Sequence, residues 1–276
     1  MKDKKAYKII IQYTESGSSS KKYKIEYSVN GHNRSEAIEE AEKAFNKYSQ
    51  NNSASWVRIL DPSAIRCWRV FPDDPNTPQF IDELIDKLPG ETPEETIKIL
   101  KRLGELEDAE SSSKIISLTK SDNVDIVVSA INALGNIGDP TIFFAVKNTY
   151  FQKKDPKIKL AIVNNLLKMA LPDDNITGFY LTAIKDPNTR EAVFNIEDAR
   201  LIPVWLPEIS CDEEFEKIKK TTIKLGNKAL EVLVSLNVNH PKVFSYASKL
   251  VKTLEPMASE LEWNDWKKAV EKYKLL

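Results

Sequence analysis

The chain has 276 residues, 41% of them apolar and 29% charged, an ordinary globular composition with length for about two domains. Forty basic side chains against 41 acidic ones leave a net charge of −1. That balance excludes a polybasic chain holding nucleic acid by bulk charge alone, and equally an acidic mimic of nucleic acid. Eight glycines, two cysteines (Cys67, Cys211) and two histidines (His32, His240) argue against phosphate-binding glycine loops, a disulfide framework and a thiolate or imidazole metal cage.

The first residues, Met1-Lys2-Asp3-Lys4-Lys5, precede an apolar run at Ala6–Tyr13 that Lys8 and Gln12 interrupt. The run is too short for a signal peptide, and no stretch approaches the roughly 20 apolar residues of a membrane span. With two cysteines far apart in sequence, a cytoplasmic location and no membrane partner are expected.

Residues 1–72 carry 13 basic against eight acidic side chains, a local charge of +5. Tyr7–Thr14 is rich in β-branched and aromatic residues, and Ser16–Ser20 reads as a turn. Lys22–Val29 then alternates, with Tyr23, Ile25, Tyr27 and Val29 on one face; this period of two is that of a half-buried strand. Ser35–Tyr48 reads as an amphipathic helix through Ala37, Ile38, Ala41, Ala44, Phe45 and Tyr48, with Asn33 and Glu36 at its cap. Trp56–Leu60 and Ile65–Phe71 read as a second strand pair around Asp61-Pro62-Ser63-Ala64. The expected order is ββαββ, a small α+β module over residues 1–74. Three prolines in Pro72–Pro78 mark a boundary, since proline fits neither a helix interior nor a central strand. Residues 75–91 form a linker with a short helix, Phe80–Leu88, stopped by Pro89-Gly90.

From residue 92 to 276 the pattern is helical. Thr92-Pro93-Glu94-Glu95 is a capping box with proline at the first helical position. Further starts at Asp122, Asp155-Pro156 and Asp186-Pro187 give spacings of 30, 33 and 31 residues. Such a period marks stacked supersecondary units, because one helix pair cannot bury its own apolar stripe. Second helices are expected near Asp139-Pro140 and Asp173-Asp174. After Asp212 the elements lose the period. Glu213–Leu236, Val243–Leu254 and a last helix around Glu260–Tyr273, with Trp263 and Trp266, read as a divergent pair plus a C-terminal cap.

The segment Asp122–Pro140, with its Ala133-Leu134-Gly135-Asn136-Ile137-Gly138-Asp139-Pro140 ending, resembles the HEAT-repeat signature, in particular the short bacterial variety of phycobilisome lyases. Asp125-Ile126 departs from the family's Val-Arg. Leu103-Gly104-Glu105-Leu106 keeps the signature in the first repeat, whereas Asn165-Leu166-Leu167 replaces it in the third. The fourth retains Arg190 and Ala192. The resemblance covers about residues 92–200. It implies a right-handed α-α superhelix, a HEAT-like solenoid following the α+β module, and most often a protein-binding surface.

No catalytic or metal-binding motif emerges. His32 and His240 sit in turns, Cys67 and Cys211 read as small apolar fillers, and the paired acids Asp73-Asp74, Asp173-Asp174 and Glu213-Glu214 suit helix N-termini. The expected function is that of a non-catalytic protein-interaction scaffold without cofactor. Its candidate binding residues are Lys147, Asn148, Tyr150, Tyr180, Lys185 and Arg190, with Asn195–Arg200 and Trp205 as a further rim. An alternative is a nucleic-acid surface on the basic module: Arg58, Arg66, Trp68 and Arg69 beside Trp56, since a basic sheet with an exposed aromatic can stack bases. Alternation puts Arg66, Trp68 and Val70 on one face and Cys67, Arg69 and Phe71 on the other. A bilin lyase-like subunit is a further alternative, by fold analogy alone.

Overall fold

The structure, a computed structural model, describes residues 3–15, 21–50, 58–72, 74, 77–171, 176–260 and 266–273. The chain divides into two compact units, Met1–Leu171 and Pro172–Leu276. The proline cluster at 72–78 therefore lies inside the first unit. Ser16–Ser20, Trp56, Asp73, Asp173-Asp174 and Trp263 fall outside the described residues.

The first unit opens on three antiparallel strands, β1 (Lys5–Glu15), β2 (Lys22–Gly31) and β3 (Arg58–Arg69), in the order β2-β1-β3. Helix α1 (Arg34–Gln50) stands between β2 and β3 in sequence. Its Ala37, Ala41 and Phe45 pack on Tyr7, Ile9, Ile11, Tyr13 and Cys67 from one face of the sheet. Each large side chain buried there contributes about 1.5–3 kcal/mol. Asn33 Oδ1 accepts from the Glu36 N–H at 2.9 Å, and the His32 N–H donates to the Glu36 carboxylate at 2.8 Å. Two helix-end donors are thereby satisfied.

The order is ββαβ, which corrects the expected ββαββ. Residues 58–69 are one strand. Ile11 pairs with Ile65 and Tyr13 with Leu60, so Asp61–Ala64, read as a turn, instead form an irregularity within β3. Pro62 is tolerated because β3 is an edge strand, where a missing N–H breaks no ladder.

Helices follow: α2 (Pro78–Asp86), α3 (Pro93–Leu106), α4 (Ser112–Leu118), α5 (Val124–Ile137), α6 (Phe143–Gln152) and α7 (Pro156–Asn165). α3 packs on α5 and α5 on α7, while α4 meets α5 and α6 meets α7. Thr92, Asn123 and Asp155 cap α3, α5 and α7 through their side chains, so the second cap is Asn123 rather than Asp122. Glu95 answers the Thr92 cap by accepting from the Glu91 N–H at 2.9 Å, one residue earlier than in the standard box.

Close approach explains two glycines. A Cβ on Gly104 would stand 2.8 Å from the Ala133 Cα, and one on Gly135 would stand 2.3 Å from the Asn165 Oδ1. α3 and α5 end alike: Glu107 (φ 56°) and Gly138 (φ 67°) adopt the left-handed conformation, donating to the Leu103 and Leu134 carbonyls. The following aspartates, Asp108 and Asp139, each cap a short 3-10 turn that leads into α4 and α6.

The second unit holds α8 (Thr177–Ala183), α9 (Arg190–Phe194), α10 (Ile202–Glu208), α11 (Asp212–Leu225), α12 (Asn227–Ser235), α13 (Pro241–Glu260) and α14 (Trp266–Tyr273). Asp186-Pro187 does not open α9. Asp186 accepts from the Asn188 N–H in a local turn, and the helix begins at Arg190. Asp198 supplies a third capped 3-10 turn before α10. The single helix expected over 213–236 is two, because Gly226 (φ 56°, ψ −125°) breaks it in a conformation that side-chain-bearing residues rarely adopt. The Tyr273 hydroxyl ties α14 back by donating to the Leu233 carbonyl at 2.7 Å; burial pushes this phenol up to about 12.

Candidate functional site

The sheet and the helices that follow it meet in a polar junction fed from both faces of the sheet. Arg66 on β3 forks between Asp82 of α2 and Asp108, each at 2.7 Å. Asp108 is buried; desolvation outweighs the field of Arg66 and raises its carboxyl above the ordinary aspartate range. Beside it, the buried Glu107 carboxylate accepts from Lys5 Nζ at 2.6 Å and from the Tyr7 hydroxyl at 2.8 Å. Burial and then Glu107 hold the Tyr7 phenol well above its usual value. Burial likewise pushes the Cys67 thiol up to about 12, which keeps it a thiol at neutral pH and a poor nucleophile.

This junction uses the side chains that sequence reading assigned to a nucleic-acid platform. The face assignment holds for Arg66 and Trp68, but that face is covered. Trp68 is 1% exposed, so it has no ring surface on which to stack a base, and Arg66 is committed to two carboxylates. Arg58 lies 4.2 Å from the Tyr48 ring centroid and 3.7 Å from Glu15. Arg69 lies over Phe71 at 4.4 Å. These four residues make no continuous exposed strip.

The six protein-binding candidates separate as well. Tyr150 and Tyr180 are buried and serve as packing rather than contact surface. Arg190 is tied inside the second unit: its guanidinium binds Glu214 at 2.9 Å and donates to the Ile184 and Glu208 carbonyls. Lys185 is exposed, with Glu208 at 3.7 Å. Trp205, placed on a rim by sequence reading, is buried, its indole donating to the Val193 carbonyl at 3.0 Å. Cys211, read as a filler, is exposed.

Lys147 and Asn148 keep their place on the surface, and the structure adds two neighbours. Phe144 is 63% and Phe151 57% exposed. On α6 the positions 144, 147, 148 and 151 follow i, i+3, i+4, i+7 and share one face. Lys147 Nζ sits 5.9 Å from the Phe144 ring centroid. The same spacing that exposes these phenylalanines also fits a core stripe, so sequence reading left them out. The decisive signal is the adjacent Phe143: it takes the buried position and turns Phe144 outward. On α7, Leu160 and Lys157 are also exposed.

Among the described residues, no group of three or more His, Cys, Asp or Glu side chains is placed to hold a metal ion. No helix among them is long and apolar enough to cross a membrane.

No family model matches the chain, and no curated protein matches it. Among solved structures it is similar to an engineered protein at 15% identity, over 71% of this chain and 96% of that one, with a TM-score of 0.36. It is also similar to human deoxyhypusine hydroxylase in complex with glycerol at 13% identity, over 72% of this chain and 86% of that one, with a TM-score of 0.32. Likeness at this level bears on neither activity nor site.

Proposed function

We propose that the chain is a non-catalytic interaction scaffold, built from HEAT-like helix pairs and docking a protein partner on the face of α6. The observation that carries this reading is the pair of phenylalanines, Phe144 and Phe151, each more than half exposed on one helical face. Exposed large apolar groups clustered with cations suit a partner surface better than solvent. From Phe143 to Leu160 the chain carries five lysines and one acid, and that acid, Asp155, is engaged in capping α7. The partner segment is therefore acidic, with apolar anchors at helical spacing.

The solenoid reading is supported by recurrence. The left-handed cap, the capping aspartate and the glycine at the helix contact return 31 residues apart: Glu107 and Gly138, Asp108 and Asp139, Gly104 and Gly135.

The test is capture from native lysate with the full chain and with a Phe144→Ser/Phe151→Ser variant, nuclease-treated, followed by titration of the purified captured protein. The expected result is a partner whose affinity falls about tenfold or more in the variant and weakens with salt. Equal affinity for both chains, with unchanged circular dichroism, overturns the α6 assignment. Retention that vanishes with nuclease favours nucleic acid instead.

A further inference from the structure

Arginine is scarce in this chain: seven residues. Five are held by carboxylates, Arg58 by Glu15, Arg66 by Asp82 and Asp108, Arg102 by Asp74, Arg190 by Glu214 and Arg200 by Asp198. Arg34 and Arg69 are the exceptions. Arg34 Nε is buried without a hydrogen-bond acceptor among the described residues. Arg69 has the Phe71 ring beneath it and no carboxylate in ion-pair reach among the described residues. Both line the same cleft, a space of about 630 Å³ in the first unit. That volume is in the range of small-molecule sites.

The charge of this cleft is not balanced. Lys5, Arg34, Arg69 and Lys168 line it against Asp3, Glu105 and Glu107. Glu107 is neutralised by Lys5 at 2.6 Å. The lining as a whole carries four cations against three carboxylates, an excess of one positive charge. A phosphate monoester carries about −1.5 to −2 at neutral pH, and a guanidinium fork fits its oxygens bidentately. The cleft also has a second character. Gly135, Asn136 and Ile137, the last turn of α5, line it. Carbonyls of a helix's last turn lack intrahelical donors, so they accept from hydroxyl groups.

We propose that this cleft binds a small phosphate monoester bearing hydroxyl groups, its phosphate on Arg34 and Arg69 and its hydroxyls toward the end of α5. The site is separate from the α6 face and does not depend on it.

The test is calorimetric titration of the full chain, at low ionic strength, with ribose 5-phosphate, adenosine monophosphate, inorganic phosphate and unphosphorylated ribose. Saturable binding of one of the two esters is expected, with inorganic phosphate weaker and ribose silent. Which ester binds distinguishes a sugar phosphate from a nucleotide. Arg34→Gln and Arg69→Gln are each expected to weaken binding about tenfold or more with circular dichroism unchanged. Arg69→Lys, which keeps the charge and loses the fork, is expected to stay weak. Lys168 is exposed, so Lys168→Gln offers a variant with little risk to folding, and weaker binding is expected there too. Absence of saturable binding by both esters up to about 10 mM, or affinities unchanged in the arginine and Lys168 variants, overturns the proposal. Equal affinity for inorganic phosphate and the esters overturns its hydroxyl half.

Discussion

The α3–α4 and α5–α6 pairs turn on the same backbone and differ at its tightest point. At Gly138 the left-handed conformation costs almost nothing. At Glu107 an L side chain holds it, at roughly 1–2 kcal/mol. The first pair sustains that strain because Glu107 serves a neighbour that the second pair lacks: its carboxylate receives Lys5 and Tyr7 from β1. Asp108, next in the chain, both caps its turn and receives Arg66, whereas Asp139 caps its turn and binds the Thr141 hydroxyl. A repeated turn thus becomes a joint to a sheet by exchanging one residue, with the backbone unchanged.

The largest effect is expected where this joint is broken on one side only. Arg66→Ala leaves the buried Asp108 without its counterion and should destabilise the first unit by about 3–5 kcal/mol in urea unfolding. Asp108→Asn in the same chain should restore part of the loss. The matching change in the second pair, Asp139→Asn, should cost under about 0.5 kcal/mol, since asparagine caps as well as aspartate. Similar losses for the two would end the distinction drawn between the turns.

Gly104→Ala ranks next. Its added Cβ meets the Ala133 backbone, which cannot rotate away, so a loss of about 2–3 kcal/mol is expected. Gly135→Ala meets Asn165 from its Cβ outward, a buried side chain held by Asn132 and the Ala161 carbonyl, and should cost at least as much. Gly178, in α8, has nothing within 4 Å of a built Cβ, and Gly178→Ala should stabilise by about 0.5–1 kcal/mol. Thermal melts of the three variants check this order.

Much of this architecture was legible because helix ends are written in local chemistry. Thr92-Pro93, Asn123 and Asp155-Pro156 declare their caps within four residues. β2 likewise declares its faces by alternation. What was not legible depends on distant partners. β3 read as two strands because Asp61-Pro62 looks like a turn, and only its pairing with β1 shows it to be an irregularity. Trp68 and Arg66 read as a binding surface because nothing local reveals that Asp82 and Asp108 return to bind Arg66 or that Trp68 is buried. Phe144 was hidden for the opposite reason: apolar residues at helical spacing normally mark a core, and here the neighbouring Phe143 fills it.

The smallest effect contrasts the two units through their carboxylates. Asp108 has a raised folded pKa, so its contribution is complete below the unfolded value, near 3.9, and declines as pH rises through the folded one. Glu214 is the reverse. Burial raises its carboxyl, but Arg190 and the Ser210 N–H together outweigh that and lower it. Its contribution is present above the unfolded value, near 4.3, and is lost as pH falls through the folded one. Hydrogen exchange between about pH 6 and pH 3 should therefore accelerate around Arg190 and α11 as acid is added, beyond the intrinsic chemical rate. The change should stay under about 1 kcal/mol, because Glu214 retains contact with solvent. Glu214→Gln should flatten that response while leaving the exchange of α3 and α4 unaltered. An acid response in the second unit that survives Glu214→Gln would place its origin elsewhere than the Arg190 tie.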